Sequence, residues 1–368
     1  PDNVYCVNSS AEGSGTGTNW ADAFTTIDEA LEAEENSATV NTVWVAEGEY
    51  SPSGDSFFPK NGCTLLGGFE GNEATHSQAE KREWYNNQCF INGEFKNYTL
   101  NLSGKRNIIV EGFVFTNSQR NVIYINNPNI TIRKCVFKDN GNSTSNSRCI
   151  YIANAAGNFG DSIKIIDCVF FNNLGTNGSC VLTLGKHTII GNCVFFNNEG
   201  PVIANGINDS TYFTKILNCT MVGNYSNSDD PGAIINTGVM ALFNSIIYFN
   251  TSTATSGTQI NRTGAVRYCN IQNSISGNGI GTKGNGFGPE NISEDPQFYS
   301  ITIPAGDSIS FWYHPTDNDH ALIPLPTSTS KSSYSLSPTI EPTKYVTSDI
   351  RSKRLRGITY FMGAYERY

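Results

Sequence analysis

The stretch KIIDCVFFNN, residues 164–173, is followed by TIIGNCVFFNN, residues 188–198, so that the same letters recur 25 positions later. Related segments lie on both sides of this pair. They read VEGFVFTNS (110–118), IRKCVFKDN (132–140), ILNCTMVGN (216–224), LFNSIIYFN (242–250) and VRYCNIQNS (266–274). Self-similarity at a nearly fixed interval predicts a repeat protein in which each copy packs on the next.

The repeats align on a column that is mostly cysteine. Its members follow one another at intervals of 22 to 33 residues: Phe113, Cys135, Cys168, Cys193, Cys219, Ser245 and Cys269. The columns three residues before and two residues after it are apolar in every copy, as expected of strand faces that turn toward a core. The column directly before it is rich in Asn. Because Asn tolerates left-handed backbone geometry, and stacked Asn amides can hydrogen-bond to one another, we expect a bend there.

These repeats predict an all-β fold, a single-stranded parallel β-helix. A second strand follows each motif after a turn, as in RCIYIAN (148–154) and SCVLTLG (179–185). Coils that stack ~4.8 Å apart bring like residues into ladders and bury a continuous core. The segments are too short and too β-branched for helices, and a propeller would need longer repeats of antiparallel strands.

A solenoid needs capped ends, and the sequence divides accordingly. Residues 19–34 predict an amphipathic helix with Asn19 as its N-cap, and the first strands follow at 42–50 and 63–71. Residues 275–290 are Gly-rich and are expected to form a loop, after which the repeat is lost. We predict an N-terminal cap at 1–60, β-helix coils at 61–290 and an irregular C-terminal cap or tail at 291–368.

The ten cysteines admit three interpretations. An even number suggests disulfides, whereas a metal site would want C-x-x-C pairs, which the sequence lacks. Cysteines in one column of adjacent coils have near-parallel side chains ~4.8 Å apart, which is poor disulfide geometry. We favour buried, reduced thiols that act as small apolar residues, and Ser245 in the same column fits that role. The pairing state of Cys6, Cys63 and Cys89 stays open.

The composition limits the partners. A net charge of −9 without a broad basic face argues against nucleic acid. The one basic run, RSKRLR (351–356), fits a solvated surface segment better than a phosphate site. No run of 18 apolar residues occurs, so no transmembrane segment is predicted. The chain begins PDNVYCV, already strand-like, and we expect an export signal to have been removed.

Both flanks carry a family resemblance. NWADAFTTIDEAL (19–31), TVWVAEGEYSP (42–52) and LLGGFEGNE (65–73) resemble the N-terminal segment of right-handed parallel β-helix proteins exported by Bacteroidetes and similar bacteria. EDPQF (294–298), YSLSPTIE (334–341) and MGAYE (362–366) resemble the choice-of-anchor Q domain that ends many such proteins. The central coils resemble the repeats of polymorphic outer-membrane proteins. The resemblance implies a right-handed, pectate-lyase-like solenoid and a secreted or outer cell-surface location.

The candidate binding surface is an aromatic column three residues after the cysteine column. It contains Phe171, Phe196 and Tyr248, which strand alternation places on the outer face of a sheet. Sugars stack on aromatic faces and exposed apolar patches often mark interaction sites, so glycan binding is one interpretation. The other, which we favour, is that the C-terminal segment or a long loop covers the column.

The other polar groups predict no catalytic residue, metal site or cofactor. Lys164 and Lys215 share an outward column without neighbouring acids, and Asp229 and Asp230 lie in a polar turn. The segment HPTDNDH (314–320) has metal-capable groups, but its Pro and Asn content fits a surface loop.

Three functions are therefore weighed. The leading hypothesis is a non-catalytic secreted or cell-surface protein that binds glycan or another surface component. The first alternative is a polysaccharide lyase or glycoside hydrolase that acts on the flank of the β-helix, which would need a base beside acidic ligands or two carboxylates across a groove. The second is a passive structural spacer, which would have no pocket and an occluded aromatic column.

Overall fold

The computed structural model describes residues 3–39, 41–94, 96–142, 146–153, 162–175, 180–185, 187–206 and 212–294. Every strand pairing in these residues is parallel and joins segments one coil apart. Three long sheets, here called sheets 1, 2 and 3, enclose one apolar core. The predicted all-β solenoid, a right-handed parallel β-helix, is confirmed, and its hand is that of nearly all crossovers between parallel strands.

From Thr64 onward, the strands of sheets 1, 2 and 3 follow one another in that order in every coil. Sheet 1 has ten described strands: Tyr5–Val7, Thr42–Ala46, Thr64–Phe69, Ile108–Glu111, Ile130–Arg133, Ile163–Ile166, Thr188–Gly191, Thr214–Leu217, Met240–Phe243 and Ala265–Arg267. Sheet 2 has nine: Gly48–Tyr50, Cys89–Asn92, Phe113–Thr116, Val136–Lys138, Val169–Phe171, Val194–Phe196, Thr220–Val222, Ile246–Tyr248 and Asn270–Ile271. Sheet 3 has eight: Tyr98–Leu102, Asn121–Ile125, Arg148–Ile152, Val181–Thr183, Ile203–Asn205, Ile234–Asn236, Ile260–Arg262 and Ile280–Thr282. Two small sheets pair Gly141–Asn142 with Leu174–Gly175, and Tyr225–Ser226 with Thr251–Ser252.

Adjacent coils pair in the register that the sequence columns predict. In sheet 1, Ile165 pairs with Ile190. In sheet 2, Phe170 pairs with Phe137 and Phe195. The ring of Phe170 lies 4.7 Å and 4.6 Å from those two neighbours, centroid to centroid, and nearly parallel to both. Like residues are therefore stacked inside the solenoid, as the repeat requires.

The bend column before the cysteine confirms the expected left-handed geometry. Its residues have φ between 50° and 57°: Lys134, Asp167, Asn192, Asn218, Asn244 and Tyr268. Their side chains also connect the coils. Asn192 Nδ2 donates to Asp167 Oδ1 at 2.7 Å, and Asn244 Nδ2 donates to Asn218 Oδ1 at 2.8 Å.

A second asparagine ladder lies buried at the far end of sheet 2. Its members are Asn140, Asn173, Asn198, Asn224 and Asn250. From Asn140 to Asn224, each Nδ2 donates to the Oδ1 of the next member at 2.8–3.1 Å. Each Nδ2, that of Asn250 included, also donates to a main-chain carbonyl of the preceding coil at 2.9–3.1 Å. Because these amides are hydrogen-bonded, their burial leaves no unpaired polar group behind.

All ten cysteines are buried and free. Cys168 and Cys193 lie in the core, one coil apart, and neither is exposed to solvent. Burial raises the pKa of Cys269 to about 12, which keeps that thiol neutral. The thiols therefore act as small core residues, as the sequence favours.

Helix α1, Ile27–Asn36, covers the first coil, but the predicted N-cap is wrong. Thr26 is the N-cap: its Oγ1 accepts a hydrogen bond from the Glu29 N–H, and the Glu29 carboxylate accepts one from the Thr26 N–H. Asn19 instead accepts a hydrogen bond from the Asp22 N–H, in a turn before the helix. The reciprocal capping box satisfies two main-chain donors at once, which explains why the helix begins there.

A second helix, α2, His76–Lys81, was not predicted. It has a capping box of its own, formed by Thr75 and Gln78. Ala79 packs it against Trp44 and Phe69 on the outer face of sheet 1. With six residues it is too short to show a helical period in the sequence.

The coils continue into the predicted loop at 275–290. Ile280–Thr282 pairs with Ile260–Arg262 and adds a strand to sheet 3. A Cβ at Gly281 would lie 2.4 Å from the carbonyl oxygen of Asn261, so the close approach of two coils requires glycine there. The glycines that suggested a loop therefore mark tight stacking.

Several sequence interpretations concern residues outside the described ranges. They are the C-terminal cap or tail from residue 295, the segment at 314–320, the basic run at 351–356 and most of the choice-of-anchor resemblance. The three-part division of the chain stays a prediction.

Candidate functional site

The predicted aromatic column lies on the outer face of sheet 2. Phe171 and Phe196 pair in register, and Tyr248 continues the column after Val222. The rings of Phe171 and Phe196 stack 5.0 Å apart, centroid to centroid. However, Phe171 and Phe196 are each 2% exposed and Tyr248 is 9% exposed. The interpretation of this column as an exposed surface is therefore wrong. The burial of its rings agrees with the alternative that another segment covers the column.

A second apolar cluster, separate from the core, explains this burial in part. Phe171 and Phe196 belong to it together with Trp84, Val114, Val136, Val169, Val194 and Val222. The partly buried rings of Tyr85, Phe90 and Phe249 pack against it. This cluster covers the outer face of sheet 2 between Val114 and Val222, and Tyr248 belongs to a separate, smaller cluster with Ile246. That Phe171, Phe196 and Tyr248 bind a ligand stays a prediction.

An aromatic column that the sequence analysis did not single out lies on the outer face of sheet 3. Ile123 and Ile125 are fully buried in the core, and Tyr124 between them faces outward and is half-buried. Tyr151 is its register partner on the next coil. Tyr98 on the preceding coil is in register with Asn121, and its ring contacts that of Tyr124 at a tilt. We call Tyr98, Tyr124 and Tyr151 the tyrosine ladder.

The ladder has an ordered ring geometry. The Tyr98 and Tyr124 centroids are 5.4 Å apart, and the Tyr124 and Tyr151 centroids are 5.5 Å apart, with tilted to edge-on contacts. Burial and the two neighbouring phenols raise the pKa of Tyr124, so its hydroxyl stays protonated and can donate a hydrogen bond. Beyond Tyr151 the same column continues with half-buried Leu182, Ala204 and Ile235. The result is a partly open apolar strip along the solenoid.

The second strands of three successive coils carry the sequence signal for this ladder. The second strands read NYTLNL, NVIYIN and RCIYIA, each with a tyrosine. The distance from the cysteine motif to the second strand varies from coil to coil, so an alignment anchored on the cysteine does not bring Tyr124 and Tyr151 into one column. Tyr98 occupies a different register position, that of Asn121.

A small cleft adjoins the ladder where sheet 2 turns into sheet 3. Arg120, Arg148, Glu199 and Leu174 contribute to its walls, and its volume is about 10 Å³, room for roughly one water molecule. The Arg148 guanidinium carbon lies 5.4 Å from the centroid of the Tyr151 ring, in a cation–π contact. Desolvation lowers the pKa of Arg148, and the side chain remains cationic at neutral pH.

A buried charged cluster lies on the outer face of sheet 1. The Glu111 carboxylate is contacted by Arg82 at 3.0 Å, by Lys134 at 3.3 Å and by Arg133. Burial raises the pKa of Glu111, but the three cations outweigh it and hold the pKa below the ordinary value. Arg82 also donates to carbonyls of α2 and of a sheet 1 strand, so the cluster fastens α2 to the β-helix.

The remaining polar candidates do not converge. Lys164 and Lys215 are half-buried on sheet 1, each in register with Ile189 between them. Asp229 and Asp230 accept hydrogen bonds from Thr253 and Ser228 respectively, as expected in a polar turn. In the part of the chain described here, no group of three or more His, Cys, Asp and Glu side chains could hold a metal ion. Neither described helix is long and apolar enough to cross a membrane.

Sequence comparison assigns a family. Residues 10–240 match the family described as "Protein of unknown function (DUF1565)". The chain belongs to this DUF1565 family. No curated protein shows significant sequence similarity to it.

Three solved structures resemble this DUF1565 chain. Pectate lyase Pel9A shares 13% identity with a TM-score of 0.48, covering 99% of this chain and 96% of its own. A rhamnogalacturonan lyase shares 11% with a TM-score of 0.46, covering 89% and 96%. Pectin methylesterase from Aspergillus niger shares 13% with a TM-score of 0.43, covering 80% and 91%. No statement about the activity of this chain follows from similarities of this size.

Proposed function

We propose that the protein is a non-catalytic glycan-binding protein, secreted or held at the outer cell surface, and that the tyrosine ladder on sheet 3 is its binding surface. The ladder carries the proposal because Tyr124 and Tyr151 pair in register on a partly open face and the ring of Tyr98 lies against that of Tyr124. The resemblance of the N-terminal flank to exported β-helix proteins supports the location.

The spacing of the ladder suits a sugar chain. Adjacent coils are ~4.8 Å apart, close to the length of one pyranose in an extended glycan. A glycan lying along the solenoid would therefore meet one tyrosine per coil. The C–H face of a sugar is apolar and slightly positive, and it complements the negative face of an aromatic ring.

The ladder is also held rigidly. Tyr124 and Tyr151 each project from a strand between two core residues, Ile123 and Ile125 for Tyr124 and Ile150 and Ile152 for Tyr151. A surface that is ordered before binding loses little conformational entropy when the ligand arrives. Rigid strands therefore favour recognition of an extended ligand over an adaptable, loop-built site.

The test is a glycan panel in which binding and turnover are measured together. Binding by the native protein should occur without release of unsaturated or reducing ends, and Tyr124→Ala should weaken it. Tyr225→Ala is the matched control, because Tyr225 is 47% exposed and lies outside the ladder. Turnover of any glycan would contradict the non-catalytic proposal, and absence of binding across the panel would favour a structural spacer.

The same experiment separates the two aromatic faces. If Phe196→Ala abolishes binding while the protein stays folded, and Tyr124→Ala has no effect, the site lies on sheet 2, where the sequence analysis placed its candidate. If only Tyr124→Ala weakens binding, it lies on sheet 3.

A further inference from the structure

Arg148 stands beside the ladder without a counter-ion. It is the first residue of the strand Arg148–Ile152, three residues before Tyr151. None of the ion pairs found within the described ranges includes Arg148 or Arg120. Arg148 Nη1 donates to the Asn146 carbonyl at 3.1 Å, while its Nε is buried and makes no hydrogen bond. A half-buried guanidinium with an unused donor is costly unless an acceptor completes it.

The residue between Arg148 and the first ladder tyrosine adds a second unused group. Tyr98, Asn121 and Arg148 are in register on three successive coils. Asn121 is 7% exposed, and its Oδ1 is buried without a hydrogen-bond partner. At this edge of sheet 3, the Arg148 Nε–H therefore lacks an acceptor, and the Asn121 Oδ1 lacks a donor.

The cleft next to Arg148 restricts what can reach it. Arg120 is exposed on the preceding coil, and its carbonyl accepts the Arg148 N–H at 2.9 Å. Glu199, on another wall, accepts a hydrogen bond from Asn227 at 2.9 Å. With a volume of about 10 Å³, the cleft admits a single oxygen atom, and a sugar ring must remain outside it on the tyrosines.

We infer that the ladder selects glycans that carry an anionic group, with the sugar faces on Tyr124 and Tyr151 and a carboxylate or sulfate oxygen at Arg148, assisted by Arg120. The inference rests on the proposed function, because the tyrosines supply the stacking surface. A guanidinium suits an oxyanion of either kind, since its charged N–H groups form strong hydrogen bonds to carboxylate and sulfate oxygens alike. The net charge of −9 works against a polyanion at long range, so selectivity has to come from these two arginines.

The experiment compares ligands that differ only in charge. The probes are a short oligomannuronate, the same oligomer after reduction of its carboxyl groups, and the reduced oligomer after sulfation. The native protein should bind the two charged probes more tightly than the neutral one, and added salt should narrow the difference. Tight binding of the sulfated probe alone would identify sulfate as the anion and would still support the inference.

Two variants test the residues. Arg148→Gln should weaken binding of the charged probe by roughly 10- to 100-fold, as expected for a hydrogen-bonded charge pair, and should change binding of the neutral probe far less. Arg262→Gln, the same change at an exposed arginine of a later sheet 3 strand, should have no effect. Arg120→Gln, also at an exposed residue, gives a smaller loss and keeps the test valid should Arg148→Gln not fold.

The outcomes distinguish the two proposals. Equal binding of charged and neutral probes, with no effect of Arg148→Gln or Arg120→Gln, would overturn the anionic selectivity and leave glycan binding intact. No binding of any probe, together with no binding across the wider panel, would overturn both.

Discussion

Sheets 2 and 3 both carry aromatic residues on their outer faces, but only one of these faces is open. Phe171 and Phe196 on sheet 2 are each 2% exposed, whereas Tyr124 and Tyr151 on sheet 3 are half-buried. Both columns obey the period of two that places a side chain outside the core. Alternation therefore determines the side of a strand, and the cover over that side determines whether it stays open, since Tyr248 in the sheet 2 column is only 9% exposed.

The largest expected difference between the faces is in stability. Phe196→Ala removes a ring packed on all sides and should lower the free energy of unfolding by about 3–5 kcal/mol. Tyr151→Ala removes a partly solvated ring and should cost far less, about 1 kcal/mol. Urea unfolding followed by circular dichroism measures both. Equal losses would mean that the two faces are covered to the same degree.

The outer face of sheet 1 differs from both, because the charged cluster around Glu111 holds the covering helix α2 on it. Glu111→Gln would leave Arg82 buried without its carboxylate, and the expected loss is about 3–5 kcal/mol. Urea unfolding of the variant at neutral pH measures it. A loss near zero would show that the cluster is solvated and does not fasten α2.

The pH dependence of stability provides a second measurement on the same cluster. Burial alone would raise the pKa of Glu111, but Arg82, Lys134 and Arg133 hold it below the ordinary value. The stabilisation is thus complete above the unfolded-state pKa of about 4.3, and it disappears as the pH falls through the lower folded-state pKa. In acid titrations, the native protein should therefore lose more stability than Glu111→Gln over that window. Parallel curves would contradict this account.

A smaller effect, on glycan binding, is expected from substitutions of a ladder tyrosine, and it depends on whether the aromatic ring is kept. Tyr151→Phe keeps the stacking surface and should bind glycan nearly as well as the native protein. Tyr151→Ala should weaken binding roughly 2- to 12-fold, as expected for an aromatic contact of about 0.5–1.5 kcal/mol. Calorimetric titration separates them. An equal loss in both variants would assign the contribution to the hydroxyl instead of the ring.

The smallest expected effect is the chemical labelling of the native thiols in the folded protein. All ten cysteines are buried, and burial raises the pKa of Cys6 and of Cys269 to about 12. Because the thiolate is the reactive form, a thiol reagent at mildly alkaline pH should label almost nothing until the protein unfolds. Labelling of the folded protein at rates typical of exposed thiols would show that the interior is not closed.

The interior of this fold could be predicted residue by residue. The columns of Ile165 and Phe170 pair as the repeat indicated, and the bend before Cys168 has the expected backbone. Coils one repeat apart present similar apolar side chains to the core, as Phe170, Phe195 and Met221 do, so the core residues recur visibly in the sequence. This is why the strongest sequence signal and the best structural agreement coincide.

The outside could be predicted only in part. Phe196 was placed on the outer face correctly, but its burial depends on what covers the sheet, and contacts between distant segments leave no periodic signal. The ion pair between Glu111 and Arg82 also joins distant segments, so it too leaves no periodic signal in the sequence. The start of α1 was missed for a local reason, since Asn19 and Thr26 are both acceptable caps and only Thr26 has a Glu three residues later.

The difference between the two faces can be measured on the unaltered protein by hydroxyl-radical footprinting read out by mass spectrometry, with Tyr225 as the exposed standard. We expect rapid oxidation of Tyr124 and Tyr151 and protection of Phe171 and Phe196 until the protein unfolds. A bound glycan should slow the oxidation of the two tyrosines alone. Oxidation of Phe171 and Phe196 at the rate of the ladder tyrosines, or a glycan that protects sheet 2 and not sheet 3, would contradict these expectations.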